Sequence, residues 1–405
     1  MTRVPIAFCI GLILTATGWA PAIGEAEVLL PDPTRIRVAV VQNQPGVALS
    51  IHGRYQVVAL TSGALLQDGL WLGQSEIRAT PDGMLINGRY LPREGVQIQP
   101  ARDATIDLNG QRLRGTVEIR QQNDNALLVI NHIGLEDYLR GVLSNEVPHY
   151  WSKEALRAVA IAARTYALYQ RLSKAAIDFD LSSDVLSQVY GGKSSEKGPT
   201  SRAVKDTEGL ILVYGEWVFP TFYNSTCGGL TESGSVMGPY RLAPLTGGVQ
   251  CALCSASPFY RWTRSLTPGD IAWALKRQGR ESMWPVSDIR VVETTPFGRA
   301  AKIRITGGTG SLVLTGFEFR RLFGFDRIRS TAFTIRPGDE GKFVLEGQGW
   351  GHGVGLCQWG AAELARRGLS AREILSFYYP AAKLVRLGEL PIQPIPVETI
   401  QGGTP

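Results

Sequence analysis

Three groups of residues have the types and spacing of a reaction centre. The first is Glu146, in SNEVPHYW from Ser144 to Trp151. A carboxyl group among Val147, Pro148, Tyr150 and Trp151 has its pKa raised, because desolvation disfavours its charged form. That prepares a general acid; the plainer reading is a surface glutamate in a turn. The second is His352, framed by Gly347, Gly349, Gly351, Gly353 and Gly355. Such a run permits positive φ and close backbone approach, so a ligand can reach main-chain N–H groups. Trp350 and Trp359 beside it offer faces of the kind that pack on sugar rings. No Lys-Ser/Thr follows, so this is not a phosphate loop. The third is a set of cysteines: Cys227 in STCGG, Cys251 and Cys254 in a C-x-x-C, and Cys357 in GLCQWG. Cys227, Cys251 and Cys254 with one histidine or water fit structural zinc, and in an oxidising compartment the same thiols pair as disulfides. A redox C-x-x-C lacks its thioredoxin-like βαβ context.

Two helices must position Glu146. Leu135, Leu139, Val142 and Leu143 recur at the spacing of one apolar helical face, and Leu156, Val159, Ala160, Ala163 and Ala167 repeat it. Pro148 stops the first helix just after Glu146; Ser152 is placed to N-cap the second, with Glu154 in its first turn. Arg164 lies beside the second apolar face, where it either reaches under the site or forms an organising salt bridge. Glu136 and Asp137 read as exposed helix or capping residues. Before the hairpin, residues 35–130 read as short β-rich runs separated by Gly, Pro, Asn and Asp, with Asn87-Gly88 and Asn109-Gly110 as hairpin turns. After it come a hairpin about Gly215, five further strands, and capping boxes at Thr267–Asp270, Thr315–Glu318 and Ser370–Glu373. The class is α+β, a β-rich N-terminal module followed by a mixed core that carries the helical hairpin.

The chain has 405 residues, enough for a full core and more than one structural unit, and a net charge of +6. That balance suits an anionic wall or membrane surface, but no Lys/Arg cluster or aromatic ladder marks a nucleic-acid binder. Arg3, the apolar run Val4–Ala20 and the small residues Ala20, Ala22, Gly24 and Ala26 read as an export signal, either cleaved or kept as an anchor. The division expected is a signal peptide at 1–26, a β module at 27–110, a core at 111–388 and a disordered tail at 389–405.

EDYLRGVLSNEVP followed by EALRAVAIAARTYA resembles the signature of the SpoIID/LytB family, the sporulation protein D and amidase-enhancer proteins of bacterial envelopes. QVYGG (Gln188–Gly192), FYNSTCGGLTES (Phe222–Ser233) and GQGWGHGVGLCQWGA (Gly347–Ala361) are similar to further family landmarks, in the same order. The resemblance covers roughly residues 111–384. It implies a lytic transglycosylase acting on peptidoglycan glycan strands, with Glu146 as acid and then base and no cofactor required. Arg164, Gln188, Tyr190, Ser225, Thr226, His352 and Gln358 would hold the strand. The enhancer branch implies instead a non-catalytic wall-binding module that stimulates an amidase or other wall hydrolase. Some family members carry a histidine just before the STCGG-like element and bind zinc nearby; Asn224 stands there in this chain.

Overall fold

The computed structural model describes residues 34–396 apart from 124, 175–176, 185–186, 281–282, 309 and 390–391. The export signal expected at 1–26 lies outside the described residues. Among those described, no helix is long and apolar enough to cross a membrane.

Alternating apolar residues build an eleven-stranded sheet. Along its main path Arg35–Gln44 lies between Leu181–Ser182 and Ala126–Gly134, followed by Thr116–Asn123, Val96–Pro100, Gly46–Ala59 and Leu65–Thr80. Both Asn-Gly pairs turn hairpins: φ is positive at Asn87 (48°), Gly88 (82°), Asn109 (52°) and Gly110 (83°), the geometry of a two-residue type I′ loop. The strand Leu65–Thr80 escapes a sequence reading because Gln67, Asp68, Gln74 and Glu76 break its alternation. Its pairing along Gly46–Ala59 holds it in the sheet instead. The boundary expected at residue 110 is not where the β layer ends. Thr116–Asn123 and Ala126–Gly134 sit between earlier strands in the same sheet, and hydrogen bonding carries the layer through to residue 134.

Ala126–Gly134 runs directly into helix α1 (Leu135–Glu146), and α2 (Lys153–Ser173) follows. The face expected on α1 is buried as a unit. Helix α2 goes further: 15 of its 21 residues are buried, so it is a central spine rather than a one-faced helix. Its many alanines permit close approach on several sides, by α1, α3 (Gly198–Asp206) and the strand Leu210–Tyr214. The three capping boxes form as expected, at the starts of α4 (Pro268–Lys276), α5 (Gly316–Phe323) and α7 (Ala371–Tyr378). Ser152 occupies the N-cap of α2 without a side-chain capping bond. Between α3 and α7 lies α6 (Gln358–Arg366), which also packs on α2.

A second core is enclosed within the chain. Trp262, Leu266, Ile271, Leu275, Ile303, Ile305, Phe319 and Leu345 belong to a buried cluster separate from the one that joins the large sheet to α1, α2, α6 and α7. The expected disordered tail is partly ordered: Gln393–Pro394 pairs in parallel with Trp217–Val218, and Ile395 is buried. Burial of that isoleucine offsets the entropy that a Pro/Gly-rich tail would otherwise retain.

Arg164 is fully buried and clamps this arrangement. Its Nε and Nη2 meet the two carboxylate oxygens of Glu136 at 2.8 and 2.7 Å, and its remaining donors reach the carbonyls of Val204 and Leu210. It therefore does not line a ligand site, and Glu136 is not a free helix-surface residue; Asp137 pairs with Arg140. Arg164→Leu should lower stability by about 3 kcal/mol, the cost of stripping one partner from a buried pair. Urea unfolding would read this, and Arg164→Lys should recover only part of it, since an ammonium cannot form the two-pronged pair.

Candidate active site

Glu146 is the last residue of α1, with Val147 as C-cap. Its oxygens lie near the negative end of the helix dipole, and no basic side chain occupies the last turn. The residue is partly buried, and neutral donors surround its carboxylate. The Val189 N–H donates to Oε1 at 3.1 Å and Gln358 Nε2 to Oε2 at 3.3 Å; the Tyr223 hydroxyl supplies a further hydrogen bond. Burial pushes the carboxyl above its ordinary range, and these three donors only partly oppose that. No second carboxylate perturbs it among the described residues. In turn, burial first and the Glu146 charge second push the Tyr223 phenol far up, so Tyr223 remains a proton-bearing donor.

Behind this group stands Gln188, fully buried. It accepts from the Tyr138 hydroxyl at 2.9 Å, and its Nε2 donates to the Ala163 carbonyl and to the Tyr223 oxygen at 3.1 and 2.9 Å. Gln188 thus orients Tyr223, which orients Glu146. Tyr190 does not join them. Its hydroxyl is spent on Asn131 at 2.8 Å, and its ring packs on Tyr138 under Gly141. The QVYGG run contributes a positioning glutamine and a backbone N–H, not a strand-binding tyrosine.

Two motifs far apart in sequence zip together beside Glu146. Tyr223–Asn224 pairs in parallel with Leu356–Cys357, Thr226 bridges to Trp350, and Glu232 to Val354. The glycine run serves this pairing. Gly355 has φ +67°, and a Cβ there would lie 2.0 Å from the Phe222 carbonyl oxygen. The close approach is therefore to the chain's own backbone. Pairing brings Ser225 next to the start of α6, where its carbonyl accepts from the Trp359 N–H at 3.1 Å. Thr226 is buried and hydrogen bonded to Ser257 at 2.9 Å. Trp359 meets Trp151 edge-to-face at 5.3 Å, whereas Trp350 is taken up by Phe259 and Arg329.

His352 joins the group through Tyr223. Its Nδ1 accepts from the Val354 N–H at 3.0 Å, which leaves the proton on Nε2, and the ring hydrogen bonds to the Tyr223 backbone. Burial, followed by the Arg320 and Arg299 charges, pushes its pKa down to about 3, so it is neutral at ordinary pH. It is a fixed neutral donor, not a second acid.

The expected cysteine trio is a quartet. The Sγ atoms of Cys227, Cys251, Cys254 and Cys357 lie within 4.8 Å of one another, all buried and none disulfide-bonded. Four soft thiol ligands in a compact group suit zinc. Asn224 is not part of the quartet; its Nδ2 turns to the carbonyls of Val354 and Leu356. Tyr223 and Cys357 are the residues that sequence reasoning left unassigned. Adjacency to Asn224-Ser225 in one case and to Gln358 in the other was the available signal.

Comparison with known proteins identifies the family. The "Stage II sporulation protein" family matches residues 123–214, which contain Glu146 and Gln188, and a domain family of unknown function matches 252–355, the stretch with the second core. An uncharacterized protein of Brachyspira hyodysenteriae (strain ATCC 49526 / WA1) is 34% identical over 305 residues, 75% of this chain and 80% of that protein. The chain belongs to the SpoIID/LytB family. The amidase enhancer of Bacillus subtilis (strain 168) is 30% identical over 71% of this chain, which spans 46% of the enhancer's length. Stage II sporulation protein D of the same organism is 28% identical, with 63% of this chain and 75% of that protein covered.

The raised Glu146 pKa makes a stability prediction. An acid whose folded pKa lies above its unfolded value of about 4.5 favours folding at pH below that value, and the benefit is lost as pH rises through the folded pKa. Above it, the ionised buried carboxylate costs stability. Glu146→Gln should thus unfold at higher urea than the wild type at pH 8, with the gap closing toward pH 4. Parallel curves at both pH values would mean that the carboxylate is solvated.

Proposed function

We propose that this protein acts on the bacterial cell wall as a lytic transglycosylase, cleaving the bond between N-acetylmuramic acid and N-acetylglucosamine in peptidoglycan glycan strands. The named relatives support the wall, and Glu146 supports the chemistry. The observation that carries it is one carboxyl group with a raised pKa, held by three neutral donors and perturbed by no second carboxylate among the described residues. Hydrolytic glycosidases use a pair of carboxylates, and the other acids on α1 are committed to Arg164 and Arg140.

In the proposed reaction protonated Glu146 gives its proton to the glycosidic oxygen. The C1–O bond breaks, and positive charge develops at C1 of the muramic sugar. The carboxylate left behind takes the proton of the same sugar's 6-hydroxyl, whose oxygen closes on C1 to form the 1,6-anhydro ring. Water is not consumed, and Glu146 ends protonated as it began. Gln358 and Tyr223 follow the charge on the carboxylate, while Gln188 and His352 hold Tyr223. Reading residues 1–26 as an export signal puts the proposed work outside the cytoplasm.

The second reading, a wall-binding stimulator of an amidase, rests on the relative named amidase enhancer. Incubation with purified glycan strands, peptide-bearing and stripped, followed by mass spectrometry of soluble products, separates the two. The wild type should release anhydro-muramyl ends, at a rate that falls as pH rises through the Glu146 pKa. Glu146→Gln should release none, and Tyr223→Phe should lose about 10²-fold or less. Reducing ends would point to hydrolysis; binding without cleavage by the wild type would leave the stimulator.

A further inference from the structure

The four cysteines stand at both ends of the segment that holds the second core. Cys251 and Cys254 precede its first buried residue, Trp262; Cys357 follows its last, Leu345; Cys227 comes from the motif paired to Cys357. Cys227 Sγ and Cys254 Sγ are 3.7 Å apart. Tetrahedral zinc with bonds of about 2.3 Å separates its sulfur ligands by about 3.8 Å. Distance alone does not exclude two disulfides reached by small shifts.

Arg299 distinguishes them. It is 2% exposed. Its Nη2 donates to the Cys227 carbonyl, while Nη1 is buried with no hydrogen-bond partner among the described residues. Glu232, the nearby buried carboxylate, spends Oε1 on the Ser233 N–H and Oε2 on the Thr295 hydroxyl. A buried guanidinium without a bonded anion is costly. Disulfides or neutral thiols supply no charge against it, but a zinc ion with four thiolates carries a net charge of −2.

We propose that Cys227, Cys251, Cys254 and Cys357 bind one zinc ion as four thiolates, with Arg299 as the buried counter-charge. Four thiols and Zn²⁺ give the tetrathiolate complex and release four protons. The ion ties the neck of the second-core segment to the motif around Ser225. It also fixes Cys357, one residue before the Gln358 that donates to Glu146. Only that last link rests on the reading of Glu146 as the acid.

Metal analysis of the full-length exported protein, isolated from its own compartment, tests this without reference to cleavage. One zinc per chain is expected, and cobalt exchanged for it should show the intense thiolate-to-metal bands of a four-sulfur tetrahedral site. Arg299→Leu should lose zinc to a chelator roughly 10–100-fold faster, as for other groups that support metal ligands from behind. Arg299→Lys should restore much of the difference, whereas a merely space-filling role would not be rescued by charge. Hydrogen exchange across residues 355–362 should rise when zinc is stripped, in the wild type and in Glu146→Gln alike. Protein without metal and without free thiols after denaturation would overturn the proposal in favour of disulfides. Zinc retention unchanged in Arg299→Leu would overturn the role of the arginine.

Discussion

The carboxyl group of Glu146 is partly buried, at the end of a helix whose dipole repels its charge. Both effects raise its proton affinity, and both would be undone by one nearby cation. Among the described residues no cation perturbs Glu146, and arginines elsewhere are engaged by partners of their own. Arg164, on the neighbouring helix, is held fast by Glu136 and by backbone carbonyls. Arg37 and Arg171 share the buried Asp180. The groups left to meet Glu146 are neutral: an amide N–H, a glutamine and a phenol. Neutral donors steady the charged form when it arises without fixing the group in that form.

Those donors come from three distant parts of the chain, and α2 makes their convergence possible. It is nearly surrounded, and its backbone carbonyls take part in the packing: Ala163 accepts from Gln188, and Ala162 from Thr221. Both bonds register a loop against the helix, one carrying Val189 and the other leading to Tyr223. A bulky residue in place of either alanine would push away the loop that aims a donor.

Local pattern made much of this legible. Periodicity located both helices of the hairpin and their buried faces, Asn-Gly pairs located two turns, and capping boxes located three later helices. Glu146 stood out because apolar and aromatic residues flank it in sequence. Arg164 and Tyr190 could not be placed in the same way. A polar residue inside a motif reads alike whether it meets a ligand or a buried partner, and the partners here, Glu136 and Asn131, are 28 and 59 residues away. The glycine run misled for a similar reason. Its conformational freedom was visible, but not that its close neighbour would be Phe222 of the same chain. Tyr223 needed a third dimension, since its hydroxyl matters only through Gln188 and Glu146.

The second core explains why the neck needs a fastening. The segment between Cys254 and Cys357 buries its own apolar cluster, so its folding does little by itself to fix how it meets the rest. Yet Gln358 emerges from that segment's far end, and a hydrogen bond of 3.3 Å to Glu146 tolerates little drift. Backbone pairing of Leu356–Cys357 with Tyr223–Asn224 supplies one constraint. It involves only two residues per strand, at a place where glycine keeps the backbone soft. The Cys357 side chain, pointing into the quartet, supplies a constraint of another kind, because a bonded sulfur cannot slide along a strand register. With that sulfur on the residue directly before the donor Gln358, the geometry of Glu146 inherits the rigidity of whatever holds the four cysteines.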